Sequence, residues 1–148
     1  MYNVKFETMS NLIRLVYSST AVRPMTQQDL QDLLVQVREK NYRLQITGML
    51  LYQKQTFLQV LEGAQKNVEG IFKAIARDQR HREVTLLLKN PIEEREYSSW
   101  DMKFTNLDAL DQGKIPGFSA DSKDSLDFRH FEMNNFTYTC LCIFRSSE

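Results

Sequence analysis

Two segments of this chain repeat apolar residues with the spacing of a helix, and strand-like segments flank each of them. Leu30, Leu33, Leu34 and Val37 recur at i, i+3, i+4 and i+7, and so do Val68, Ile71, Phe72 and Ile75. A one-sided stripe needs an apolar surface to cover, and the segments around the stripes supply it. Leu12 to Ser18 reads as a strand with Ile13, Leu15 and Tyr17 on one face and Leu12, Arg14 and Val16 on the other. Arg23-Pro24 then breaks the chain. Thr26-x-x-Asp29 opens the first helix as a capping box with Asp in place of Glu, and the helix is expected to end near Lys40-Asn41. Ile46 to Tyr52 is a nearly continuous apolar run containing Gly48, the mark of a buried strand. Gln53-Lys54-Gln55 is a polar turn, and Thr56 to Leu61 completes a hairpin that Glu62-Gly63 is expected to close. The second helix stops near Arg77-Asp78. Glu83 to Leu88 and Ser99 to Thr105 are the last two strands, the former closed by Asn90-Pro91.

The resulting order, β-α-β-β-α-β-β, predicts an α+β fold: a ferredoxin-like split β-α-β with one added strand and two helices on one face of the sheet. A length of 148 residues suits one domain. Residues 1–10 read as an N-terminal extension, 11–107 as the domain and 108–148 as a C-terminal extension, where Gly113, Pro116 and Gly117 punctuate a polar stretch. Met9 is an alternative start, because the patterned sequence begins just after it. Phe118, Phe128, Phe131, Phe136, Tyr138 and Phe144 have no place in a two-helix core. The extension is expected either to cap the sheet or to form an interface that carries an output.

Charge excludes some partners. Lys plus Arg and Asp plus Glu both number 19, so the chain lacks the basic footprint of general nucleic-acid or membrane-surface binding. No apolar run is long enough to span a bilayer, and the first ten residues lack an apolar signal-peptide core. Cytosolic residence is the default expectation. There is no P-loop, no G-x-G-x-x-G, no G-x-S-x-G and no H-E-x-x-H. His81 and His130 lie far apart, and Cys140-x-Cys142 is best read as two small residues packing in an apolar segment. No metal site is expected.

Several residues have two readings. Gln59 shares a strand face with Phe57 and Leu61; a buried amide needing a partner and an edge-strand amide in water are equally good accounts. Tyr17, on the apolar face of its strand, reads first as a core tyrosine with a satisfied hydroxyl. Trp100 with Met102 reads first as core packing. Asp78-Gln79-Arg80-His81 is either a solvated helix C-terminus or an anion-capture site through Arg80 and His81. Asn41 would serve as a helix C-cap.

As a set, these residues closely resemble the BLUF family of blue-light sensors using FAD. The resemblance runs from about Leu12 to about Leu107. It rests on Arg14-Leu15-Val16-Tyr17-Ser18-Ser19, Asn41, Ile46-Thr47-Gly48-Met49-Leu50-Leu51-Tyr52, Phe57-Leu58-Gln59-Val60-Leu61-Glu62-Gly63, Asp78-Gln79-Arg80-His81 and Trp100-Asp101-Met102. It implies a photoreceptor, not an enzyme, with FAD inserted between the two helices against the sheet; FMN is the alternative the same residues would accept. Tyr17 would be the electron donor and Gln59 the proton relay between it and the flavin. Asn41 would bond the flavin's polar edge, and Ile46, Leu50 and Phe57 would pack on the ring. Arg80 and His81, with Asp78, would grip the ribityl-phosphate end, and Trp100 and Met102 would couple light to output. Lys40 stands where family members often have Asn or His, and Val37 where some carry serine. The length resembles the short members of the family, leaving no room for an attached cyclase or phosphodiesterase. A downstream protein partner and a homo-oligomer are expected. A small flavin-dependent oxidoreductase, which dark NAD(P)H turnover would reveal, and a non-photoactive ligand-binding module on the same fold are the alternatives.

Overall fold

The alternation of strand and helix signals is realised, in a computed structural model of the chain, as a five-stranded sheet in the order β4-β1-β3-β2-β5. The structure describes residues 11–98 and 102–110. The strands are β1 (Leu12–Ala21), β2 (Thr47–Gln53), β3 (Thr56–Ala64), β4 (His81–Pro91) and β5 (Lys103–Asn106). Helix α1 (Gln27–Arg43) links β1 to β2, and α2 (Gln65–Arg77) links β3 to β4. The chain divides into two units, Met1–Thr105 and Asn106–Glu148; a short helix, α3 (Leu107–Leu110), falls in the second. The β1–β3, β1–β4 and β2–β3 pairs are all antiparallel. This is the expected ferredoxin-like order, with the added strand β5 beside β2.

Both helical stripes face the same side of the sheet. Leu30 and Leu34 of α1 and Val68 and Ile71 of α2 join Ile13, Leu15, Tyr17, Leu50, Phe57 and Leu61 in one buried cluster. The opposite face is also apolar and buried, through Leu12, Val16, Met49, Leu51, Leu58 and Val60. The capping box forms: the Asp29 amide donates to the Thr26 hydroxyl at 3.0 Å, and the Thr26 amide donates to the Asp29 carboxylate at 2.9 Å. Gly48 is dictated by close approach, since a Cβ there would stand 1.8 Å from the Val60 carbonyl oxygen.

Several boundaries differ from expectation. α1 runs past Asn41 to Arg43, and Leu44 is the C-cap, so Asn41 does not cap with its side chain. β3 continues through Glu62 and Gly63 to Ala64, because the buried Glu62 carboxylate is matched by Arg14, its cross-strand partner, at 2.8 Å. β4 extends from His81 to Pro91, and β1 reaches Ala21, because the two pair along their whole lengths. β5 begins at Lys103, and the carbonyl of Met102, just before it, accepts from Arg38. Trp100 lies outside the described residues, as do the residues of the C-terminal extension beyond 110.

Candidate functional site

A cavity of about 770 Å³, counting its open mouth, lies between the two helices and the sheet. The sheet supplies Tyr17, Leu50, Phe57, Gln59 and His81; α1 supplies Leu33, Gln36, Val37, Lys40 and Asn41; α2 and the turn after it supply Ile71, Ala74, Ile75, Asp78 and Arg80. Nine of the expected site residues thus meet here: Tyr17, Lys40, Asn41, Leu50, Phe57, Gln59, Asp78, Arg80 and His81. Ile46 does not line the cavity; it is wholly buried in the core just before β2.

At the floor of the cavity, Tyr17 and Gln59 are direct cross-strand partners on β1 and β3. β3 lies between β1 and β2, so Gln59 is central in the sheet, and of its two readings the buried one holds. The Tyr17 hydroxyl donates to Gln59 Oε1 at 2.5 Å. Gln59 Nε2 in turn donates to the Met102 sulfur at 3.5 Å. Burial, reinforced by the Asp78 carboxylate, pushes the Tyr17 phenol well above its usual range, so it keeps its proton at any physiological pH. The Phe72 ring stands 5.6 Å from the Tyr17 ring and tilted by 52°.

Asn41 is 2% exposed, and its Nδ2 donor has no hydrogen-bond partner. A buried amide donor left unmatched is costly, and this one borders the cavity, which marks it as a donor for something placed there. At the mouth, Arg80 is held by Asp78: Nη2 meets Oδ2 at 2.6 Å and Nε meets Oδ1 at 3.0 Å. That bonding holds the Asp78 carboxyl down at about 2. Arg80 Nη1 also reaches Gln36 Oε1 on α1 at 3.4 Å. His81 Nδ1 lies 3.2 Å from the Ser19 hydroxyl, with its ring edge-on to Phe57. Burial lowers the His81 pKa, opposed by Asp78. The helical apolar stripes announced Leu33, Val37, Ile71 and Ile75 as inward-facing, but Gln36 and Ala74 carried no signal of their own.

An α+β domain with an apolar-walled cleft over a Tyr–Gln pair, an orphaned amide donor on one wall and cationic groups at the mouth is a cofactor-binding domain. The sequence profile of the BLUF family, sensors of blue-light using FAD, matches residues 12–103, and the chain belongs to that family. FAD is the cofactor by which the family is defined. Among curated relatives, a photoactivated adenylate cyclase subunit beta of Euglena longa is 37% identical over 94 residues, which are 63% of this chain and 11% of that protein. The chain thus spans about a tenth of the length of the curated relatives it matches. Among solved structures, the dark state of BlrB, a BLUF protein, is similar with a TM-score of 0.65 and 31% identity, covering 70% of this chain and 79% of that one. The photo-activated state of BlsA is similar with a TM-score of 0.64 and 27% identity, covering 90% of this chain and 93% of that one. Residues 12–103 are a light-sensing domain and not a catalytic one. Among the described residues, no helix is long and apolar enough to cross a membrane.

The cavity fits a flavin. Leu33, Val37, Ile71 and Ile75 offer apolar cover for a flat ring, and Asn41 Nδ2 offers a donor to a ring carbonyl. Arg80 and Lys40 offer positive charge for a phosphate at the same mouth, and His81 a ring nitrogen beside them.

Proposed function

We propose that light acts on this protein through the Tyr17–Gln59 pair, with Tyr17 as electron donor and Gln59 as the group whose hydrogen bonds are rewired. The observation that carries this reading is the 2.5 Å hydrogen bond from the Tyr17 hydroxyl to the Gln59 amide oxygen, at the floor of the cavity. A bound flavin supplies the absorption of blue light and an excited electron acceptor. A phenol that loses an electron becomes a strong acid, and here its proton already points at an acceptor. An amide carries donor and acceptor on one group, so rotation or tautomerisation of Gln59 exchanges its bonds without net charge transfer. Each neutral bond contributes only about 0.5–1.5 kcal/mol net, so the two arrangements lie close in free energy.

Asn41 serves as donor to the ring edge, Leu50 and Phe57 as packing surfaces, and Arg80, His81 and Lys40 as the grip on the phosphate end. Met102, and Trp100 outside the described residues, couple the glutamine to output. The relatives named as adenylate cyclases support a reading in which a domain of this kind acts on a protein effector. The effector here is a downstream protein partner, the protein self-associates, and its residence is cytosolic.

The test is optical. Purified protein loaded with FAD is expected to shift its flavin absorption slightly to the red under blue light, reversibly and without bleaching. Tyr17→Phe keeps the ring and removes the hydroxyl; it is expected to retain flavin and lose the shift. Gln59→Leu should do the same, because it replaces the polar group with a near-isostere on an apolar face. A normal photocycle in Tyr17→Phe would overturn the assignment of the donor.

A further inference from the structure

Met102 occupies an unusual position between the switch and the fold. Its sulfur accepts from Gln59 Nε2 at 3.5 Å, and its backbone carbonyl accepts a two-pronged bond from Arg38, Nε at 3.1 Å and Nη2 at 2.9 Å. The residue is 1% exposed and stands immediately before β5, with its carbonyl held by Arg38. A methionine side chain has three soft torsions and does not fix its own sulfur. Something must hold the backbone if the sulfur is to stay on the glutamine amide, and the two bonds from Arg38 do so. Arg38 belongs to α1, three residues before Asn41 and two after Gln36, both of which line the cavity. One helix therefore carries a wall of the cofactor site and the anchor of the residue that touches Gln59.

We propose that Arg38 is a positioning residue of the light reaction: its guanidinium fork pins the Met102 carbonyl, keeps the Met102 sulfur on the Gln59 amide, and couples rearrangement of that amide to helix α1. The proposal rests on the reading of Gln59 given above. When Gln59 exchanges its bonds, the amide hydrogen directed at the sulfur is withdrawn or re-aimed. Met102 then loses a partner on its side-chain end while its backbone end remains tied to α1, so the change is felt at the Arg38 fork. The planar fork matters because a guanidinium holds two N–H donors in fixed geometry that converge on the one carbonyl oxygen, whereas an ammonium is a point charge.

The experiment uses the FAD-loaded full chain with backbone ¹³C-carbonyl methionine, in wild type, Arg38→Ala and Arg38→Lys, with Met102→Leu to assign the labelled band. Infrared difference spectra and the rate of dark return are read together. In wild type, light is expected to shift the Met102 carbonyl band. In Arg38→Ala the band should already stand at the frequency of a free carbonyl and show no light-induced shift, with dark return accelerated by about ten-fold for loss of a charge-assisted bond. Flavin retention should be unchanged, because Arg38 does not line the cavity. Arg38→Lys should restore part of the carbonyl shift and part of the slow return, a rescue that a purely structural role would not show in the carbonyl band. A wild-type carbonyl shift and a wild-type return rate in Arg38→Ala would overturn the proposal while leaving the Tyr17–Gln59 reading intact. Absence of the red shift in wild type would remove that reading and this proposal with it.

Discussion

Two buried polar cross-strand pairs of the β1–β3 ladder lie on opposite faces of the sheet, which treat them in opposite ways. Tyr17 faces Gln59 on the helix side, and Arg14 faces Glu62 on the other, three residues along β1. The Tyr17–Gln59 pair is neutral, and the second bond of the amide is to a thioether sulfur, a weak acceptor. The Glu62 carboxylate is wholly buried and saturated. It accepts from Arg14 Nε at 2.9 Å and from the backbone amides of Glu96 at 2.9 Å and Tyr97 at 3.0 Å. Arg95 adds bonds from Nη1 to the Glu62 carbonyl at 3.1 Å and to the Thr47 hydroxyl at 2.9 Å. A saturated charged cluster has one good arrangement. A lightly bonded neutral amide has two of similar free energy. The first fixes the segment that leads from β4 toward Met102; the second is free to switch.

If that contrast is right, the largest effect of any single change comes on the charged face. Glu62→Ala leaves a part-buried guanidinium and two backbone donors without their acceptor, and is expected to destabilise the fold by about 3 kcal/mol. Urea unfolding followed by circular dichroism measures it. A loss below about 1 kcal/mol would erase the distinction between a clamp and a switch.

Arg80→Ala separates holding the cofactor from switching it. A charge-assisted bond is worth about 1.5–3 kcal/mol, or roughly ten- to a hundred-fold in affinity. Asp78 already engages the guanidinium on two nitrogens, so the expected loss lies at the ten-fold end. Equilibrium flavin titration should show it with the light-induced red shift intact. Altered photochemistry with unchanged affinity would place Arg80 at the wrong end of the cofactor.

The stability cycle of Tyr17→Phe with Gln59→Leu sharpens the neutral side of the comparison. The coupling energy is expected at about 0.5–1.5 kcal/mol, the worth of one neutral hydrogen bond. A coupling of about 3 kcal/mol, the range of a buried ionic pair, would mean that this pair is a second clamp.

What the sequence disclosed follows the same division. Short-range periodicity announced both helices, the hairpin and the capping box, and resemblance to a known family brought Tyr17, Asn41, Gln59 and Arg80 together before any geometry was available. What stayed hidden depends on partners far along the chain. Glu62 looked like the end of a strand, because its partners Arg14, Glu96 and Tyr97 lie more than thirty residues away. Arg38 carried no signal of its own, since nothing in its segment points to the Met102 carbonyl. The β2–β3 turn places Lys54 and Gln55 at positive φ, 49° and 66°, without the Gly or Asn that signals such a turn. Gln55 is held there by a 2.7 Å bond from the Ala21 amide to its carbonyl and by its side-chain amide on the Ala21 carbonyl.

The smallest expected effect is a pH dependence confined to the mouth of the cavity. Burial lowers the His81 pKa from its ordinary 6.5, with Asp78 opposing and Arg80 reinforcing; Lys40 lines the same cavity. In the free protein the neutral imidazole is therefore favoured. Because the unfolded chain binds the proton more readily, His81 weakens folding as pH falls through the ordinary histidine range. A phosphate at the mouth reverses the sign: it stabilises imidazolium, so binding a phosphorylated flavin takes up a proton and tightens as pH falls. Asp78, held down at about 2, stays charged throughout and contributes no slope. Dissociation constants of FMN and riboflavin measured between about pH 5.5 and about pH 8 test this. FMN is expected to bind more tightly toward the acid end, by less than about ten-fold per pH unit, the limit for one proton. Riboflavin, with no phosphate, should show no such gain, and His81→Gln should flatten the FMN profile. Parallel profiles for the two flavins would remove His81 from the phosphate end and leave it a structural partner of Ser19 and Phe57.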